Sequence, residues 1–229
     1  MKISPFFIYP LMIACAITKS DAQVAFQNRE SINFSQVKIT DKFWNSRINA
    51  VTNISIPVCI DQTEFKTGRI RNFEKVAAKK GENHEGIYYD DSDVYKALEA
   101  ISYSLSNHPD PILEKKAEEW IDKIAAAQLP DGYLNTYYTL VDISKRWTDM
   151  DKHEDYCAGH LIEAAIAYFN ATGKRKLLDV AIRFANHIDA TFRLQNRHWV
   201  SGHQGIELAT PNCGSISTYV DQYDFSMDA

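Results

Sequence analysis

The chain has 229 residues, 45% hydrophobic, 24% charged and 12% aromatic, with a formal net charge of −5. That length can bury a sizeable core, and the composition excludes a disordered tail, a collagen-like chain and a multispanning membrane protein. Its Lys and Arg residues form no basic cluster, so nothing recommends nucleic acid as a partner.

Met1 to Ala22 reads as a secretory signal peptide. Lys2 gives the positive start, Phe6 to Ile17 a short apolar run, and Ser20-Asp21-Ala22 the small residues of a cleavage site. The run falls short of the roughly 20 apolar residues a lasting span needs, so no integral membrane span is expected. The expectation is export, to a periplasm; a lipoprotein signal ending at Cys15 fits less well, since Met12 and Ile13 match a lipobox poorly. Beyond the leader, Cys59, Cys157 and Cys213 are odd in number and widely spaced, so no disulfide framework is implied.

A strand-like stretch, Ile32 to Ile39, comes first. Thr40-Asp41 then caps a helix in which Phe43, Trp44, Ile48, Val51 and Ile54 keep helical spacing up to Pro57. A basic, weaker helix runs from Gly68 to Lys80, followed by a loop to Asp91 that holds Tyr88 and Tyr89. From Ser92, Val94, Leu98, Ile101 and Leu105 share one face of a long helix that stops before Pro109. Pro111 opens the next, with Leu113, Ala117, Trp120, Ile121 and Ile124 as its stripe, and Gln128 to Gly132 ends it in a turn. Further helices are predicted over His153–Ala171, closed by Gly173, and over Lys174–Thr191.

These helices repeat. At an offset of 64, Leu98-Glu99-Ala100 meets Ile162-Glu163-Ala164, Trp120 meets Phe184 and Ile124 meets Ile188. Each unit is an αα-hairpin followed by a long loop, and such hairpins bury their faces by stacking into solenoids or closed toroids. The predicted fold is all-α: αα-hairpin repeats forming an incomplete toroid, with a short N-terminal strand segment. Gly202 to Glu207 echoes the start of another inner helix, whereas 210–229 is rich in turn formers. The expected domain is 23–209, with 210–229 a non-helical tail produced by truncation or a frame shift near Ala209; a natural polar cap is the alternative.

His153, Cys157 and His160 share a helix face that suits a metal, although three ligands on one helix do not complete a structural zinc site, and a buried Cys157 beside two polar histidines is the favoured alternative. Carbohydrate binding draws on more of the chain. Tyr88, Tyr89, Tyr133, Tyr137, Tyr138, Trp147 and Trp199 sit in loops beside Asp90, Asp91, Asp93, His153, Glu154 and His203, the aromatic and hydroxyl-binding groups of a sugar site. Glu99, Glu163 and Glu207 recur at matching positions and read as buried hydrogen-bonding groups. There is no GxGxxG, P-loop, GxSxG or HExxH.

Several blocks are specific: Asp91-Ser92-Asp93-Val94-Tyr95-Lys96, Pro130-Asp131-Gly132-Tyr133-Leu134-Asn135-Thr136-Tyr137-Tyr138, His153-Glu154 with Tyr156 to Ala164, and Gly202-His203-Gln204 with Ile206 to Ala209. In this order they resemble glycoside hydrolase family 127, whose characterised members are β-L-arabinofuranosidases; the likeness covers about residues 32–209. The resemblance implies an (α/α)6 toroid followed by β-sandwich domains, and a retaining mechanism with a cysteine thiolate nucleophile near zinc and a glutamate acid/base. It also implies that His153 and His203 contact the arabinofuranose. The family's nucleophile, zinc ligands and acid/base lie beyond its second hairpin, so no catalytic or metal-binding residue and no cofactor is assigned within this chain. Ala97 stands where the family has Trp, and Gly205 where it has Glu. The expectation is therefore a fragment of a secreted glycosidase, inactive alone, that binds an arabinofuranoside-containing glycan; a stand-alone glycan-binding module is the alternative.

Overall fold

The structure, a computed structural model, describes residues 32, 34–80, 83–192, 194–207 and 209. The chain divides into two units, Met1–Ile32 and Asn33–Ala229, and every element named here belongs to the second. The predicted leader and the segment 210–229 lie outside the described residues.

The described residues contain no strand. Where the sequence suggested one, Phe34–Gln36 form a single 3-10 turn: an extended segment needs a partner for its backbone groups, and none lies alongside among the described residues. Asp41 caps α1 (Lys42–Ala50) by accepting the Trp44 amide at 2.9 Å. The helical path does not stop at Pro57. A wider turn over Val51–Ser55 leads into α2 (Ile56–Asp61), which places Pro57 in a first turn where its missing N–H is harmless, and a second wide turn covers Gln62–Lys66. Along this rod Trp44, Val51, Val58 and Phe65 recur every seven residues and are all about half exposed or more. The short helix α3 (Arg69–Ala78) buries Ile70, Phe73 and Val76 against the helix that starts at Pro111.

Two hairpins follow: α4 (Asp91–Asn107) with α5 (Pro111–Ala127), and α7 (Glu154–Thr172) with α8 (Lys176–Phe192). Asp110 accepts from the Ile112 and Leu113 amides to cap α5, and Gly173 closes α7 at φ 73°, a conformation natural to glycine. The first helices of the hairpins, α4 and α7, pack against each other more extensively than any other pair. Of the residues matched at the 64-residue offset, Leu98 and Ile162, and Trp120 and Phe184, are buried in both hairpins, whereas Ile124 is buried and Ile188 only partly so. Between the hairpins the sequence predicted only loop. The structure adds α6 (Thr136–Val141), capped by Asn135 accepting the Tyr138 amide. A further helical turn begins at Gly205–Glu207, and Ala209 is fully buried.

No helix among the described residues is long and apolar enough to cross a membrane.

Candidate functional site

The N-terminal ends of α4 and α7 both bond to the segment that links the two hairpins. At the start of α4, Asp91 is buried and accepts from Thr136 N at 2.7 Å and Thr136 Oγ1 at 2.5 Å, tying α4 to α6. Burial pushes its carboxyl up to about 6 against the pull of those two bonds. At the start of α7, Glu154 accepts from the Tyr133 hydroxyl at 2.5 Å and the Trp147 amide at 2.7 Å, and burial raises its carboxyl to about 7. The adjacent Asp155 accepts from Trp199 Nε1 at 3.1 Å and so holds the segment that leads to His203.

Immediately before Glu154, His153 is left-handed at φ 59°. Its Nδ1 lies 2.7 Å from the Asp151 carbonyl, which makes Nδ1 the protonated nitrogen and leaves Nε2 an acceptor. Around it stand the rings of Tyr88, Tyr89 and Tyr156, at centroid distances of 5.7, 5.5 and 5.3 Å. His203 completes the group, 6.1 Å from His153 and 4.5 Å from Tyr156. Its Nδ1 accepts the Gly205 amide at 3.2 Å, so its Nε2 carries the proton. The two histidines thus offer one acceptor and one donor across an aromatic wall, the pairing that a sugar hydroxyl array can use. Lys152 Nζ over Tyr88 and Lys96 Nζ over Tyr156 add cationic groups.

The structure brings His153 and His203 together with Tyr88, Tyr89 and Tyr156, and assigns other candidates to packing. Tyr133 and Trp147 are fully buried. Trp147 Nε1 donates to His187 Nε2 at 3.1 Å, and His187 Nδ1 donates to the Asp131 carbonyl at 3.0 Å, a network around a histidine that the sequence reading passed over. Asp90 is buried and bonds Ile87 N and Arg69, which also pairs with Asp93 at 2.8 Å. Cys157 is buried, its thiol pushed up by burial and directed at the Tyr89 carbonyl 3.7 Å away. The face of His153, Cys157 and His160 is therefore not a ligand set. Nor do the described residues assemble the zinc–thiolate centre that the resemblance implies: Cys59 is exposed on α2, Cys157 is sealed away, and neither joins a cluster of potential ligands.

The catalytic-domain family described as "Beta-L-arabinofuranosidase, GH127 catalytic domain" matches residues 36–213. The chain belongs to glycoside hydrolase family 127. A curated relative, the non-reducing end beta-L-arabinofuranosidase of Bifidobacterium longum subsp. longum, is 36% identical over a 200-residue alignment that covers 76% of this chain and 30% of that protein. Among solved structures, a GH127 beta-L-arabinofuranosidase from Geobacillus stearothermophilus T6 is 39% identical with a TM-score of 0.74, over 80% of this chain and 30% of the other. A second GH127 beta-arabinofuranosidase is 37% identical with a TM-score of 0.75, over 83% and 32%. The chain thus spans about a third of the length of these GH127 relatives.

Proposed function

We propose that this GH127 chain supplies the substrate-binding wall of an exported β-L-arabinofuranosidase, with His153 and His203 holding the sugar and Tyr88, Tyr89 and Tyr156 packing against it. The observation that supports this most is the meeting of His153 and His203, 50 residues apart in the chain, at 6.1 Å among three tyrosines. An Nε2 acceptor and an Nε2–H donor on rings 6.1 Å apart suit neighbouring hydroxyls of a furanose. The β-L-arabinofuranosidase relatives favour a terminal β-L-arabinofuranoside as the ligand. Glycoside hydrolysis needs two groups flanking the bond. Asp90, Asp91, Glu154 and Asp155, the buried acids near this wall, are engaged in bonds that hold loops. We therefore assign binding, and not bond cleavage, to the described residues. A zinc-bound thiolate and a glutamate acid/base, which the family resemblance implies, would come from elsewhere in the protein. Met1–Ala22 would direct export.

The test is thermal unfolding of the purified chain with and without L-arabinose, beside an aryl β-L-arabinofuranoside assay. The expected result is a sugar-dependent rise in Tm that disappears in His153→Ala and His203→Ala, with no turnover. Turnover by this chain at the rate of a GH127 enzyme would overturn the assignment of binding alone. A Tm rise that survives both substitutions would overturn the site.

A further inference from the structure

We propose that Glu99, His160 and Glu163 form a divalent-cation site between α4 and α7, suited to a first-row transition ion such as zinc or manganese. One ligand atom from each residue lies within 4.8 Å of the other two. His160 and Glu163 are three apart on α7 and so share a face, and Glu99 reaches them from α4, the helix packed most closely against it. Metal sites in helical bundles are built this way, from a His and Glu one turn apart plus a carboxylate from a facing helix.

Two details separate this group from an ordinary polar patch. First, His160 Nδ1 is buried and has no hydrogen-bond partner among the described residues, and the Glu163 carboxylate stops 3.9 Å short of it. That gap is too long for a hydrogen bond. It matches two donors that each hold one ion at about 2.0–2.2 Å. Second, the ligands are already oriented. The Tyr103 hydroxyl donates to Glu99 Oε1 at 3.2 Å, and the Tyr156 ring stands edge-on to His160 with centroids 4.5 Å apart. Glu99 and Glu163, two half-buried carboxylates at this range, also repel one another, and a dication removes that cost. The opposing charge is Lys96 on α4, which engages Ser92 and Asp93 and lies over Tyr156. The donor set, one imidazole and two carboxylates without a thiolate, disfavours the softer Cu(I) and admits zinc, manganese or iron(II).

The experiment is equilibrium dialysis of the chelator-treated full chain against Co2+ and Zn2+, with the visible spectrum of bound Co2+ as a second readout and circular dichroism as the control for folding. One equivalent is expected to bind with a rise in Tm. His160→Ala and Glu163→Gln should each weaken binding at least tenfold, and Tyr103→Phe less. Should either α7 variant fail to fold, Glu99→Gln reads the same site from the other helix. Binding that persists at full strength in a folded Glu99→Gln or His160→Ala chain, or that is lost in Cys213→Ser instead, overturns the site. So does the absence of any stoichiometric binding.

Discussion

Asp91 and Asp155 occupy the same place in two hairpins, 64 residues apart, and each reaches forward to the loop that follows its own hairpin. Asp91 accepts from Thr136, 45 residues on, and Asp155 from Trp199, 44 residues on. The repeat therefore extends beyond the apolar stripe to the polar contact that fixes each loop. Their substitution should have unequal effects. Asp91→Ala leaves the buried Thr136 amide unpaired, a loss of about 1–3 kcal/mol in urea unfolding. Asp155→Ala frees a partly exposed indole N–H that water can satisfy, so it should cost about 1 kcal/mol or less. Its signature is instead faster hydrogen exchange over 197–203. Equal stability losses from the two variants would contradict this picture.

Glu154 makes stability depend on pH. Its carboxyl titrates near 4.5 in an unfolded chain and at about 7 when buried beneath Tyr133 and Trp147. Between those values the native state keeps a proton that the unfolded chain has released, so stability is complete below pH 4.5 and declines as pH rises through 7. The span corresponds to about 3 kcal/mol. Asp91, raised from 3.8 to about 6, acts in the same direction over a lower window. Glu154→Gln should flatten the profile between pH 5 and 8. It should also lower stability at pH 5, because one amide oxygen cannot accept from both Tyr133 and Trp147. Melting temperatures at half-unit pH intervals would show both effects.

The hairpins were legible in the sequence because their apolar residues recur at the helical period and their ends carry local chemistry: Asp41 caps α1, Pro111 opens α5 and Gly173 closes α7, as the sequence predicts. Elements decided by partners elsewhere were not. Phe34–Gln36 form a 3-10 turn, with no second strand among the described residues, and α6 was hidden in a loop although Asn135 is a recognisable cap. At the candidate site, the family resemblance singled out His153 and His203, but composition could not tell the tyrosines around them from Tyr133 and Trp147, which are core. That distinction depends on which side of the loop faces α8, and pairwise contacts such as Trp147 with His187 leave no local pattern.

The Trp147–His187 bond should carry much of the loop's stability. His187 must be neutral to accept from Trp147 Nε1 while donating to the Asp131 carbonyl, and burial lowers its affinity for a proton accordingly. This contribution is lost as pH falls below 6.5, opposite in sign to that of Glu154. His187→Ala removes the acceptor and leaves a cavity beside Trp147, Tyr133 and Phe184, with an expected loss of about 2–4 kcal/mol. Trp147→Phe should cost less in the His187→Ala background than in the wild type, since the orphaned N–H goes with the indole. A double-mutant cycle measures that coupling directly.

Gly159 controls how closely α7 approaches the turn that carries His203. A Cβ at this position would lie 3.0 Å from the carbonyl carbon and oxygen of Gly205 and from the Ile206 Cα, all backbone atoms that cannot rotate away. At Gly173 the balance is reversed: nothing lies within 4 Å, but φ is 73°. Gly173→Ala should therefore cost only the conformational penalty, about 1 kcal/mol, and change nothing elsewhere. Gly159→Ala sits inside a helix, where alanine alone would gain about 1 kcal/mol. The clash reverses that gain, since overpacking of this kind costs about 1–3 kcal/mol. It should also push Gly205–Glu207 away from α7 and carry His203 from His153. Unfolding curves of the two variants, with hydrogen exchange over 203–207, separate the effects. A Gly159→Ala chain more stable than wild type, with unchanged exchange there, would show that the two backbones do not meet.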